Sequence, residues 1–481
     1  VIPVDGEVFR AELNTLGAVL QHFELSNYSI STRDPSPVVL VEVDGLAGGT
    51  LAMPFEELGH GNLAHAVWEV EREDPYEIMF ALDRDRVKIR KTFHFDPTDY
   101  RFRLSVEVAN QSDVAVEPRF AVLWPAHQRK EFDFAEQALV ALHAGEVETE
   151  LLSGLGTGGF LDSIRGSAPD LFFDFPSPVE WAGVQTTYFL SAMFPDDPGS
   201  ASVRLAAVQP GVSGIAQLFF PPVQIPPGLS ASRDFVAYAG PKDVDRLEAL
   251  GSQAIQAIDL GWSWVSPLTR FFGWLLHEIY NFVPNYGVAI ILLTVLVRVI
   301  MIPLTVKQMR SMERMRTLQP KIKELQDKHK DDRQKQSEEM MALYRREKVN
   351  PLGGCLPMVL QLPVFIGLFY ALRGSIQLRQ APFFGWIDDL SAPETLFMIP
   401  GLDLPIRLLP IIMGASMVIQ QKITPTPQVD PTQARMMMTI MPIMMTVVFY
   451  GFASGLVLYW MVSNVLAISH QLWIGRRMRT E

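Results

Sequence analysis

Cysteine is almost missing: Cys355 is the single one among 481 residues. That excludes a disulfide scaffold and cysteine-based metal or redox chemistry. No glycine-rich phosphate loop with Lys and Ser/Thr is present, which argues against an ATP-driven pump. The nine histidines fall at no metal-ligand spacing. Neither a Gly-x-Ser-x-Gly elbow nor HExxH occurs. No catalytic residue, metal or cofactor is therefore expected, and an enzyme is disfavoured. With 41 basic and 53 acidic side chains, net −12, the chain is not a generally basic nucleic-acid binder, and no recognition of nucleic-acid sequence is expected. An apolar content of 48% excludes a disordered chain.

The charge is unevenly shared. Residues 1–260 carry 18 basic and 38 acidic side chains, while residues 261–481 carry 23 and 15. An acidic half joined to a basic, strongly apolar half suggests two solvents. In the first half Phe102, Leu104, Val106 and Val108 alternate with Arg103, Ser105, Glu107 and Ala109. This period of two puts one face on a core and the other in water. Residues 88–95 and 202–208 behave similarly, and helical periodicity is scarce before about 242. Residues 1–245 read as one large all-β sandwich, followed by a linker and amphipathic helix over 246–285.

The second half holds apolar runs of membrane length, near 286–306, 355–376, 405–421, 436–454 and 456–474. The intervening 307–354 has 13 Lys/Arg against 8 Asp/Glu, whereas 380–404 has no Lys or Arg. The positive-inside rule then places 307–354, the loop 422–435 and the tail 475–481 in the cytoplasm, with the β domain and 377–404 outside. Val1–Arg10 has neither the basic nor the apolar region of a signal peptide. A domain placed outside must be exported, so an upstream signal or anchor helix is expected.

Ser266-Pro267 reads as a helix start with a hydroxyl N-cap. Leu268, Phe271, Phe272, Leu275, Ile279 and Phe282 follow at helical spacing, with Trp262, Trp264, Trp274 and Tyr280 nearby. Such a helix lies in the outer membrane interface or packs on the sandwich. Met309, Met312, Met315, Leu318, Ile322 and Leu325 mark one arm of a hairpin, together with Arg316, and Ser337–Lys348 marks the other. Its basic face suits anionic lipid, a ribosome or a targeting factor, or is simply solvated. Met437, Met441, Met444 and Met445 enrich the fourth run in methionine. Thioethers there provide a sliding surface for varied apolar helices or fill gaps beside lipid.

Arg298 is the sharpest feature. It sits inside an apolar run nine residues before Lys307, about 13 Å at helical rise. An Arg at mid-membrane costs about 2.5–3.5 kcal/mol on insertion scales. None of the five runs contains an Asp or Glu. Polar neighbours, a water-filled cavity, or snorkelling to the surface are the ways to satisfy it. Thr294, Gln361, Thr446, Ser463 and Asn464 are the candidate neighbours. A secondary transporter for an organic anion and a passive assembly chaperone are the competing functional classes.

Several motifs carry a resemblance. Val349-Asn-Pro-Leu-Gly-Gly-Cys-Leu-Pro357, Gln361-Leu-Pro363, Leu378-Arg-Gln-Ala-Pro-Phe383, Ser454-Gly-Leu-Val-Leu-Tyr-Trp460 with Ser463-Asn464, and Thr294-x-x-x-Arg298 before Pro303-Leu304 resemble the YidC membrane protein insertase family. They fall in the right order over about 290–475, and the acidic β domain resembles the periplasmic domain of the Gram-negative branch. The resemblance implies a β-supersandwich followed by an α-helical five-span core with a cytoplasmic hairpin, preceded by an anchor helix. It implies a multi-pass protein of the bacterial inner membrane, with a periplasmic N-terminal domain and a cytoplasmic C-terminus. It implies a hydrophilic groove containing Arg298, Thr294, Gln361, Ser463, Asn464, Tyr459 and Trp460, and a hairpin that receives substrates. The implied function is insertion and folding of nascent membrane proteins into the lipid bilayer, alone or with the Sec translocon, with the ribosome and the signal recognition particle pathway as further partners. Two departures stand out. Tyr459-Trp460 replaces a Tyr-Tyr pair of enterobacterial relatives, so a phenol hydroxyl at the second position is lost. Ala453 stands where Pro is common.

Overall fold

The alternation around Phe102 is realised in the strand Arg101–Asn110, whose even-numbered side chains are buried while Arg101 and Arg103 face water. The computed structural model describes residues 1–42, 48–128, 137–157, 169–329, 332–347, 356–402, 404–423 and 431–478. Cys355, the break at 348–354 and the loop over 424–430 lie outside them. The chain divides into two units, Val1–Ile258 and Asp259–Glu481.

The first unit is antiparallel β. Its nine-stranded sheet runs from Glu146–Leu151 through Ala138–His143, Val179–Gln185, Phe189–Pro195, Ser230–Pro241, Arg101–Asn110, Val87–Phe95 and Glu77–Arg84 to Glu69–Glu73. A four-stranded sheet built from the first 42 residues packs on one half of it, with Phe9 5.7 Å from Phe95 and Phe23 6.0 Å from Phe102 between ring centroids. A second four-stranded sheet packs on the strands Ala138–His143 and Val179–Gln185. One large sheet covered by two smaller ones accounts for both the length of the unit and its lack of disulfides. A short helix, α1 (Val244–Leu250), follows, capped by the Asp243 carboxylate accepting from the Arg246 N–H. A cavity of about 250 Å³ opens beside it, lined by Asp99, Arg101, Tyr238, Asp245, Arg246, Ala249 and Leu250.

The second unit is helical. Helix α2 (Ser266–Phe282) starts one residue earlier than its sequence signal suggests. Ser266 is not the cap, because a turn over 262–265 already takes its N–H onto the Trp262 carbonyl at 2.9 Å. Its inner side chains, Phe272 and Leu276, are buried, and Phe271, Trp274 and Phe282 are exposed. Helix α3 (Tyr286–Lys328) runs unbroken for 43 residues through Pro303 and Pro320. The first apolar run and the first arm of the charged hairpin are thus one continuous helix, about 65 Å along its axis. Helix α4 (Arg333–Arg346) follows, capped by Asp332, and Lys321 pairs with Glu347 at 2.8 Å. Leu318 on α3 and Leu343 on α4 are buried, and Met315 and Ile322 are half-buried. The side chains of Met312 and Arg316 lie outside the described ones.

Helices α5 (Leu356–Arg373), α6 (Leu408–Ile423), α7 (Pro431–Phe449) and α8 (Ser454–Met478) complete the unit. Among the described residues two stretches are long and apolar enough to cross a membrane, Tyr286–Lys307 and Ser454–Trp473. Gln361–Arg373, Leu408–Ile423 and Thr439–Phe449 are apolar but shorter. Between α5 and α6 the chain forms a small hairpin, Phe397–Ile399 with Leu404–Ile406. The Glu394 carboxylate accepts the Leu409 N–H at 2.6 Å and so ties this segment to the start of α6.

Glycine permits a close approach of α6 and α7. A Cβ on Gly414 of α6 would stand 2.0 Å from Thr446 Oγ1 of α7, whose hydroxyl is held on the Pro442 carbonyl. Gly414→Ala should therefore destabilise the helical unit by about 1–3 kcal/mol through overpacking. Thr446→Ala in the same chain should recover most of the loss. Thermal aggregation of detergent-solubilised variants checks this, and additive losses in the double variant would refute the contact.

Candidate functional site

The site is assembled by three helices. Thr294, Val297, Arg298 and Met301 recur on one face of α3, because positions three and four apart share a face. Tyr459 and Ser463, one turn apart on α8, face them, and α5 adds Gln361 and Val364. These eight side chains line a cavity of about 10 Å³. That is the lower limit for a single water molecule.

The guanidinium of Arg298 donates to one oxygen. Its Nε stands 3.0 Å and its Nη2 2.5 Å from Ser463 Oγ. No ion pair to Arg298 occurs among the described residues. Among the described residues, a charge within an apolar helix is thus held by a hydroxyl rather than a carboxylate. Thr294 is buried and its hydroxyl donates to the Ile290 carbonyl of its own helix at 2.6 Å, which leaves only acceptor capacity for the cavity. Tyr459 is buried against the same space, so a phenol is present in it despite the Trp at the next position.

The two remaining groove candidates lie elsewhere. Asn464 is buried and donates to Ser416 Oγ at 3.0 Å, linking α8 to α6. Trp460 packs edge-on to Phe365 of α5 and Phe449 of α7, each at 4.8 Å between ring centroids. Sequence reasoning missed Val297, Met301 and Val364 as lining residues, although 297 and 301 fall on the stripe already marked by 294 and 298. On α7 Met444 is exposed, Met441 half-buried, and Met445 packs on the helical core, while the side chain of Met437 lies outside the described ones. Among the described residues no group of three His, Cys, Asp or Glu side chains is placed to hold a metal ion.

Comparison with known proteins covers both units. The family described as 60Kd inner membrane protein matches residues 278–481, and the YidC periplasmic domain matches residues 1–275. A membrane protein insertase YidC of Syntrophus aciditrophicus (strain SB) is 35% identical over 489 residues, covering 99% of this chain and 85% of its own. The protein of the same name from Pasteurella multocida (strain Pm70) is 34% identical over 490 residues, covering 99% and 86%. A solved active YidC insertase with its first transmembrane domain resolved aligns over 97% of this chain and 91% of its own, at 17% identity and a TM-score of 0.40.

Proposed function

Since the chain belongs to the YidC family of membrane protein insertases, we propose that it inserts nascent membrane proteins by lending the charge of Arg298 to their polar flanks inside the bilayer. The family's members are insertases of the inner membrane with a periplasmic domain, and they are not enzymes. In our reading α3, α5, α6, α7 and α8 each cross the membrane, which makes five spans. The excess of Lys and Arg over 307–354 supports a cytoplasmic hairpin, and the lack of both over 380–404 supports a periplasmic segment there. The periplasmic domain occupies 1–245 and the interfacial linker 246–285.

The observation that carries the reading is that, among the described residues, Arg298 is held by the Ser463 hydroxyl and by no carboxylate. A guanidinium offers five N–H donors in a fork that matches a carboxylate with two parallel bonds. Ser463 occupies only part of that fork. An acidic flank arriving from the cytoplasm exchanges a neutral acceptor for a charged one, provided that α3, α5 and α8 part to widen the cavity. The apolar segment behind it then partitions into lipid, driven by burial of roughly 20 apolar residues. The membrane potential adds about 2.3 kcal/mol per acidic charge per 100 mV when the flank moves outward. The basic hairpin receives the segment, and the Met-rich α7 offers an adaptable apolar wall. The ribosome and the signal recognition particle pathway are proposed partners on the strength of that basic cytoplasmic face, and the Sec translocon is proposed on the family resemblance.

Reconstitution tests this directly. Purified protein in lipid vesicles free of other proteins should protect a small membrane protein with an acidic flank from added protease, without making the vesicles permeable to organic anions. Anion flux without insertion would favour a transporter. Neither activity would leave a helix-packing chaperone.

A further inference from the structure

The hairpin between α5 and α6 is uncovered on both faces. Phe397 pairs with Ile406, Met398 with Pro405, and Ile399 with Leu404. Successive strand residues point to opposite faces, so Phe397 and Leu404 share one side and Met398 lies on the other. All three are exposed, as are Leu396 and Leu402 at the flank and the turn, with Leu402 reaching 72%. An apolar ribbon exposed on both faces is costly in water, and fluid acyl chains can cover both at once. No Lys or Arg occurs from 380 to 404, and the one charged residue between Leu396 and Ile406 is Asp403, whose carboxylate must stay with water or headgroups.

The base of the hairpin is fixed by an arginine and a tyrosine. The Arg407 guanidinium donates to the Tyr450 carbonyl and lies 5.1 Å over its ring, and the Tyr450 hydroxyl donates to the Pro405 carbonyl. Arginine and tyrosine of this kind sit at headgroup level. From that base α6 begins two residues after Ile406, with Ile411, Ile412 and Ile419 also uncovered. The apolar surface of the hairpin is thus continuous with that of a proposed span.

We propose that the hairpin 397–406 dips into the outer leaflet and anchors the outer end of α6 in lipid. The depth is interfacial. A two-stranded ribbon leaves backbone groups unpaired at its edges, which water and headgroups must satisfy. This inference rests on the span reading but not on insertion itself.

The test uses full-length protein with Cys355 replaced by Ser and one new cysteine, labelled with an environment-sensitive fluorophore in phosphatidylethanolamine/phosphatidylglycerol vesicles. Leu402→Cys should give blue-shifted emission, quenched several-fold more by shallow nitroxide-labelled lipids than by aqueous iodide. Val67→Cys in the β unit serves as the water reference and Val299→Cys on α3 as the span reference. Water-like emission at 402 overturns the proposal, and so does blue-shifted emission that nitroxide lipids fail to quench, because a protein surface then covers the hairpin. Failure of Val299→Cys to report lipid overturns the span reading instead.

Discussion

Replacing Arg298 with alanine should slow insertion of substrates with an acidic flank by about tenfold to a hundredfold. Hydrogen bonds to a charged group are worth about 1.5–3 kcal/mol. Each 1.36 kcal/mol on a barrier is a factor of ten in rate. The measurement is the time course of protease protection in vesicles, for two versions of one substrate, Asp in the flank against Asn. The wild-type chain should insert both, and Arg298→Ala should lose the Asp version selectively. Arg298→Lys should fall between, since an ammonium keeps the charge but not the planar fork. The variant should still fold. Removing one member of a buried ion pair strands its partner, but among the described residues Arg298 donates to Ser463, a neutral hydroxyl, and to no carboxylate. An equal loss for both substrates would make Arg298 a packing residue and remove the charge from the mechanism.

The same residues show where sequence logic reaches its limit. The facing of Thr294 and Arg298 followed from their spacing. Tyr459 and Ser463 are also one turn apart and line the cavity with them. Asn464 is a candidate by its polarity and Trp460 through the family resemblance, and neither reason fixes which way the side chain points. Each helical step rotates the side chain by about 100°, which turns them onto the next face, toward Phe449 and Ser416. The alternation over 101–110 was legible because burial on one sheet face repeats every second residue. The continuity of α3 was not, because a change of surroundings near Lys307 looks like an end in composition although the backbone continues through it. Val297, Met301 and Val364 as lining residues were not legible either, since three helices bring them together and no local pattern encodes that meeting.

Lys91 is the other residue that composition hides. It lies in the strand Val87–Phe95, among the inward positions Val87, Ile89, Phe93 and Phe95, and it is fully buried. Counting by twos along that strand would have flagged it. Its ammonium donates to the carbonyls of Ala18 at 2.5 Å, Leu51 at 2.8 Å and Gly17 at 3.4 Å, and lies 5.8 Å from the Trp68 ring centroid and 5.6 Å from that of Phe93. Ala18 and Leu51 are both left-handed, with φ of 48° and 65°. One lysine thus holds two strained turns to the sheet. Lys91→Ala should destabilise the β unit by about 3–5 kcal/mol, because it opens a cavity and leaves the three carbonyls unpaired. Lys91→Met keeps the volume and should lose less.

Burial pulls the Lys91 ammonium down from 10.5 to about 7, against three carbonyls that favour its charge. The unfolded chain then binds more protons than the folded one between pH 7 and 10.5, so this residue makes the β unit more stable as pH rises through that window. The slope is at most about 1.4 kcal/mol per pH unit. Below pH 7 both states carry the proton and the full burial penalty applies. Pulse proteolysis across a urea series at pH 7, 8 and 9, read on fragments of the β unit, should show the wild-type midpoint gaining on that of Lys91→Met. If the difference between the two stays constant with pH, the lysine keeps its proton throughout, and the carbonyl cage outweighs desolvation.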